Sequence, residues 1–274
     1  MGFQRVSRYL PLGLLGFLLL SRAAVPQARA ADFSDDFAGP LKADWTVASI
    51  GNLGQGEFTG KDIKTTATAE GGLLTVISGG GNAYDQKETD DFGYVYLKPA
   101  GDWQATLKVT RVGERRVRAG LVARASTDPG SPSVFLAAQR LGGLIFGSRT
   151  AAGQVPAVSR NLVELDTKTP VWLRLVRRGR LFQASHSYDG ENWVGGPGAL
   201  VNPAFDTGDA LVGIGVSSQI EDSYGLAQFG GFSLTAPPAV DSGLVTTTAL
   251  LTDADGNPVG GAWVSVRDSG NNQV

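Results

Sequence analysis

The sequence predicts an all-β protein whose main body is two packed antiparallel sheets, on three observations. Apolar and polar residues alternate with a period of two in about ten short segments. Glycine-rich turns separate those segments, and no stretch between Ala31 and Ala236 carries the period of an amphipathic helix.

The alternation is clearest in Trp103–Thr110, where Trp103, Ala105, Leu107 and Val109 share one face and Gln104, Thr106 and Lys108 the other. Before it come segments at Leu73–Ser78 and Phe92–Lys98. After it come Val117–Ala125, Val134–Arg140, Leu144–Arg149, Val171–Arg177, Leu181–Ser187, Ala210–Ser217 and Gly225–Leu234. So many short strands with short connections pack as two sheets face to face. Leu141-Gly142-Gly143 and Arg178-Gly179-Arg180 are spaced for hairpins, with glycine wherever φ must be positive. Asp189-Gly190 makes a further turn, after which Trp193 folds back as an apolar plug. The longer connections, 79–91, 126–133, 150–170, 195–208 and 219–224, are read as rim loops, where a binding function varies without disturbing a core.

The two ends differ from this body. Arg5 and Arg8 precede an apolar run over Leu10–Leu20, about half of what a membrane span needs, and Ala28-Arg29-Ala30 supplies a small-x-small cleavage site. Residues 1–30 are therefore expected to be a signal peptide cut near Ala30, and the protein to be secreted or displayed on the cell surface. Residues 31–236 form the sandwich, with no transmembrane segment after the leader. Residues 237–243, beginning Pro237-Pro238, form a stiff linker, and 244–274 carry two more strand-like segments, too few to be stable alone.

Without the leader, 20 basic groups stand against 26 acidic ones, a net charge of −6, which argues against nucleic acid as a partner. The chain has no cysteine and one histidine, so disulfides, thiol nucleophiles and the usual zinc sites are excluded.

Leu73-Leu74-Thr75-Val76-Ile77-Ser78-Gly79, Asp91-Phe92-Gly93-Tyr94-Val95-Tyr96 and Gly101-Asp102-Trp103 are followed in order by three further segments. These are Ala119-Gly120-Leu121-Val122-Ala123-Arg124, Pro170-Val171-Trp172-Leu173-Arg174-Leu175 and Asp189-Gly190-Glu191-Asn192-Trp193. Over roughly residues 33 to 235 this series resembles a bacterial branch of the concanavalin A-like lectin and glucanase superfamily, the branch labelled regulation of enolase. The resemblance implies a jelly-roll sandwich with one curved, concave sheet, in secreted modules among which sugar or calcium binding is common. Fold likeness alone does not carry function. The tail, through Asp253, Gly256, Pro258-Val259, Gly261-Ala262 and Val264, resembles the start of an immunoglobulin-like or carboxypeptidase-regulatory module that stops before it would close.

Glycoside hydrolysis needs two carboxyl groups across a sugar. The Glu-x-Asp-x-x-Glu triplet that many glucanases of this superfamily carry on one strand is missing, and no glycine-framed nucleophile accompanies His186, so the expected protein is not an enzyme. Carbohydrate recognition combines aromatic faces with planar polar groups. Tyr84, Gln139, Arg149, His186 and Trp193 are the candidate ligand contacts, while Tyr94 and Tyr96 share a face with Phe92 in a stripe read as core. Asp36, Asp90, Asp91 and Asp102 are candidate ligands for a structural calcium ion. The leading expectation is a non-catalytic recognition module for a polysaccharide or glycan. The alternatives are a structural or protein-adhesive sandwich of a larger surface protein and a glycoside hydrolase with separated carboxylates.

Overall fold

The computed structural model describes residues 32–239 except 57–58, 85–86, 114–115, 140–142, 161–167 and 207. The predicted leader and the tail module lie outside the described residues, as does the linker beyond residue 239.

Among the described residues, fifteen strands form two antiparallel sheets. The first contains β1 (Phe33–Asp35), β3 (Thr66–Glu70), β4 (Leu73–Ser78), β6 (Trp103–Val112), β11 (Val171–Arg178), β12 (Leu181–Ser187), β13 (Val194–Val201) and β15 (Gly225–Thr235). Their order is β13-β12-β11-β6-β15-β4-β3, with β1 also against β15. The second contains β2 (Thr46–Ile50), β5 (Phe92–Leu97), β7 (Arg118–Arg124), β8 (Ser133–Gln139), β9 (Gly143–Arg149), β10 (Ala157–Arg160) and β14 (Leu211–Ser217), in the order β10-β9-β8-β7-β14-β5-β2. The only helical element among the described residues is a 3-10 turn at Pro203–Phe205. No described helix is long and apolar enough to cross a membrane. This is the two-sheet antiparallel sandwich that the alternation predicts, with the jelly-roll architecture that the resemblance implies.

The inward positions of both sheets meet in one core. Trp103, Ala105, Leu107 and Val109 of β6 and Leu173 and Leu175 of β11 face Leu121 and Ala123 of β7, Leu136 of β8 and Ile214 of β14. Each large apolar side chain buried this way stabilises the fold by about 1.5–3 kcal/mol relative to exposure. The predicted parity of Trp103–Thr110 is the observed one, since β6 alternates between buried and half-buried positions.

Two predicted loops contain strands. β10 lies within 150–170, and β13 starts at Val194 and runs into 195–208. β10 has only four residues and β13 runs through Gly195-Gly196-Pro197-Gly198, so neither shows an alternation of its own. Pairing with β9 and with β12 creates them.

β15 shapes the surface that matters below. Its Gly225–Phe229 half pairs with β4, and its Phe232–Leu234 segment pairs with β1 on the same side. Between the two halves the register against β6 shifts across Gly230-Gly231, where Gly231 takes φ 148°. Such a bulge flips the side-chain parity, which is why Phe229 and Phe232 both point into the core.

Candidate functional site

The chain itself fills the outer face of the seven-stranded sheet. Ile50, Phe92, Tyr94, Val122, Phe135, Ala137 and Ile145 form a second apolar cluster there, together with Ala83 and Tyr84 from the 79–91 loop. Tyr84, with φ 63°, stacks on Phe135 at 4.6 Å between ring centroids and meets Phe92 edge-on at 5.0 Å. Its hydroxyl reaches β14 at Gly215, where a Cβ would stand 2.3 Å from Oη, so only glycine admits the ring.

An ion network fastens this loop. Asp90, fully buried, accepts from Arg124 Nη1 at 2.6 Å, from Arg149 Nη1 at 2.6 Å and Nη2 at 3.0 Å, and from the Tyr84 amide at 3.1 Å. Arg118 Nη1 donates to the Ala83 carbonyl at 2.8 Å, and Ser217 and Ser218 hydroxyls donate to the Gly80 carbonyl. β7 thus contributes an arginine at each of its ends, β9 one at its end and β14 a hydroxyl, and these converge on a loop whose backbone would otherwise be buried unsatisfied.

Several sequence-based expectations are corrected here. Tyr84 is not a rim contact but a plug, fully buried, with its hydroxyl lacking a partner. Burial raises the Tyr84 pKa well above its ordinary value. Arg149 is buried as the counter-ion of Asp90, and also donates through Nε to the Gln154 carbonyl at 2.7 Å. Gln139 accepts from Arg118 Nε at 3.0 Å. His186 lies at the core margin opposite Leu173, edge-on to Tyr188 at 5.6 Å, and desolvation lowers its pKa. Trp193 does fold back, but onto a cation, with the Arg174 guanidinium 3.5 Å from its ring centroid. These five residues do not converge on one site.

Nor do the four candidate calcium ligands. Asp36 is on the outer face of the eight-stranded sheet, Asp90 is engaged by two arginines, Asp91 accepts from the Asn52 amide at 2.8 Å, and Asp102 accepts from the Gly179 amide at 2.6 Å. Among the described residues no group of three or more His, Cys, Asp or Glu side chains is placed to share a cation. Residues distant in sequence go to different faces, which parity within single strands does not reveal.

An open groove of about 400 Å³ lies on the outer face of the eight-stranded sheet, beside the bulge of β15. Its floor is Thr106 and Lys108 of β6, Trp172 of β11 and Gly230-Gly231 of β15, and its wall is Ser34-Asp35-Asp36 with Lys42. The register places Lys108 directly opposite Trp172, and the Lys108 ammonium stands 4.7 Å from the centroid of that ring. Gly230 makes room for this lysine, because a Cβ there would lie 3.1 Å from Lys108 Cδ. On the other side of β11, a Cβ at Gly190 would lie 3.2 Å from Trp172, so the Asp189-Gly190 turn supports the indole. Asp189 fixes that turn by accepting from the Glu191 and Asn192 amides and the Asn192 side chain. These bonds hold its pKa well below the carboxylate range.

At the wall, Asp35 is nearly buried and both its oxygens are engaged, Oδ1 by the Phe37 amide and Oδ2 by Trp45 Nε1, each at 3.0 Å. Asp36 is exposed and accepts from the Ala38 amide. Lys42 donates to the Ser34 carbonyl and lies 5.5 Å from the Phe33 ring centroid. Sequence reading placed Lys108 on the wet face of its strand but did not single out Trp172. The available signal was parity, since Trp172 stands between the inward Val171 and Leu173 and must therefore face outward.

No protein-family profile matches the chain, and no curated protein is similar to it in sequence. Solved structures share the fold. A functionally unknown protein from Saccharomyces cerevisiae superposes with TM-score 0.50 at 17% identity, covering 72% of this chain and 98% of that one. A GH43 protein, BlXynB, from Bacillus licheniformis gives TM-score 0.52 at 17% identity, and GH43B of a xyloglucan PUL of Bacteroides ovatus gives 0.51 at 15%. Each covers 74% of this chain, but this chain spans only 39% of either GH43 chain. At these identities the likeness defines the class of fold, a jelly-roll β-sandwich, and nothing finer.

Proposed function

We propose that this protein is an extracellular, non-catalytic recognition module that binds a polysaccharide or glycan in the groove of the eight-stranded sheet. One observation carries the reading. Thr106, Ser233, Asp36, Lys42 and Lys108 converge with an indole on an open groove, while the opposite sheet face is filled by Tyr84 and its loop. Hydroxyl, carboxylate and ammonium groups around an aromatic side chain are the chemistry that recognises sugar hydroxyls and ring faces. The fold shared with GH43 proteins, one of them from a xyloglucan PUL, is consistent with a carbohydrate-associated role. In the groove wall Asp35 is engaged within the protein, leaving Asp36 without a free carboxylate opposite it, which supports binding over hydrolysis.

Affinity electrophoresis of the purified chain in gels containing xylan, xyloglucan and other soluble polysaccharides tests this. Retardation by at least one polysaccharide is expected, weakened at least tenfold by Trp172→Ala and unchanged by Tyr96→Ala on the opposite sheet. The reverse pattern would place the ligand on the seven-stranded face and overturn the assignment. The filled seven-stranded face also favours a second reading, a structural or protein-adhesive sandwich. Folded protein that no polysaccharide in the panel retards would shift the conclusion to it.

A further inference from the structure

The charged side chains of the groove go further than carbohydrate in general. Lys108 has its stem laid across Gly230 and its ammonium over Trp172, so an aromatic ring rather than an acid holds the cation in place. Lys42 is held by the Ser34 carbonyl and the Phe33 ring. The ion pairs among the described residues join Lys87 to Glu221, Arg124 and Arg149 to Asp90, and Arg180 to Asp206, and neither groove lysine takes part in one. Yet two carboxylates line the same groove. Asp35 is turned inward onto Phe37 and Trp45, and Asp36 is exposed, bonded only to the Ala38 amide of its own turn.

We infer that the groove selects an acidic sugar, a hexuronate unit within a polysaccharide, whose carboxylate is held by Lys108 with Lys42. This inference rests on the groove being the glycan site. A cation fixed by cation–π contact keeps its hydrogen-bond donors available to an incoming anion, whereas one paired to a carboxylate must first break that pair. Asp36 and the hydroxyls of Thr106 and Ser233 complement the other half of such a ligand, because a hexuronate presents hydroxyls around the ring from its single carboxylate. A neutral sugar offers the two ammonium ions only hydroxyl acceptors and no opposite charge. The chain as a whole is acidic, so selectivity for an anion must come from these two local charges, not from the overall field.

The test compares two polymers that differ only at the carboxylate, glucuronoxylan and its carboxyl-reduced form, by titration calorimetry of the full chain at low and at physiological salt. The expected result is at least tenfold tighter binding to glucuronoxylan, an advantage that shrinks as salt is raised. Lys108→Gln abolishes the difference between the polymers and Lys108→Arg restores it, with thermal melts confirming that both variants fold. Equal affinity for the two polymers, lost in Trp172→Ala, would overturn the acidic selectivity and leave the glycan site standing. No binding to either polymer would overturn this selectivity, and the glycan site falls with it only if the wider panel also fails.

Discussion

Replacing Asp90 with asparagine removes one negative charge from a site where no water reaches. Asp90, Arg124 and Arg149 are all fully buried, and among the described residues the carboxylate is the only acid that either guanidinium contacts. The variant keeps the shape of the side chain but leaves two buried positive charges facing an amide. Removing one partner of a buried ion pair costs about 3–5 kcal/mol. Two cations are orphaned here, but each retains carbonyl acceptors, Arg124 at Asp128 and Pro129 and Arg149 at Gln154 and Ser131, which keeps the cost within that range. For a domain of this size each kcal/mol lowers the melting temperature by about 2–4 °C, so Asp90→Asn is expected to melt about 6–20 °C below the parent. Urea unfolding followed by tryptophan fluorescence measures the loss directly. The Tyr84 amide, which donates to Asp90, should also lose hydrogen-exchange protection before the strands do. A loss below about 1 kcal/mol would mean that water reaches Asp90 and its arginines, because such a value belongs to a solvated surface pair.

Three other outcomes follow from the same structure. Tyr84→Phe deletes a buried hydroxyl without a partner while keeping both ring contacts, so it is expected to stabilise the protein by about 1 kcal/mol in the same urea assay. Chelation with EDTA is expected to leave the melting temperature unchanged, since the four candidate calcium ligands are dispersed; a fall would reveal a metal site. His186 has its pKa lowered by burial, so the unfolded chain binds its proton first as pH falls below about 6.5. Stability contributed by the neutral imidazole is therefore complete above that pH and declines as pH drops toward the folded value, a slope that His186→Gln removes from a stability–pH profile.

How much of this was legible in the sequence depends on what kind of interaction decides each feature. Strands such as β6, β11 and β12 were visible because their own alternation encodes which face is buried. β3, with the sequence Thr-Ala-Thr-Ala-Glu, was missed because an edge strand with little to bury has little apolar pattern to show. The 79–91 segment has the composition of a rim loop, and its glycines are real turn residues, Gly80 at φ 105° among them. Its burial is decided by Arg118, Arg124 and Arg149, which come from three strand ends, and only tertiary pairing brings them together. The same limit applies to the groove. Parity puts Lys108 and Trp172 on outward faces, but their meeting depends on the β6–β11 register, and the space beside them depends on the Gly230-Gly231 bulge.

A hydrogen-exchange footprint of the protein with and without a retarding polysaccharide locates the binding surface. Bound ligand is expected to slow exchange in Ser34–Lys42, in β6 and β11 around Lys108 and Trp172, and in β15 around Gly230-Gly231. Protection concentrated instead in β5, β7 and β14 would mean that the Tyr84 loop yields to ligand and that the seven-stranded face, not the groove, is the binding site.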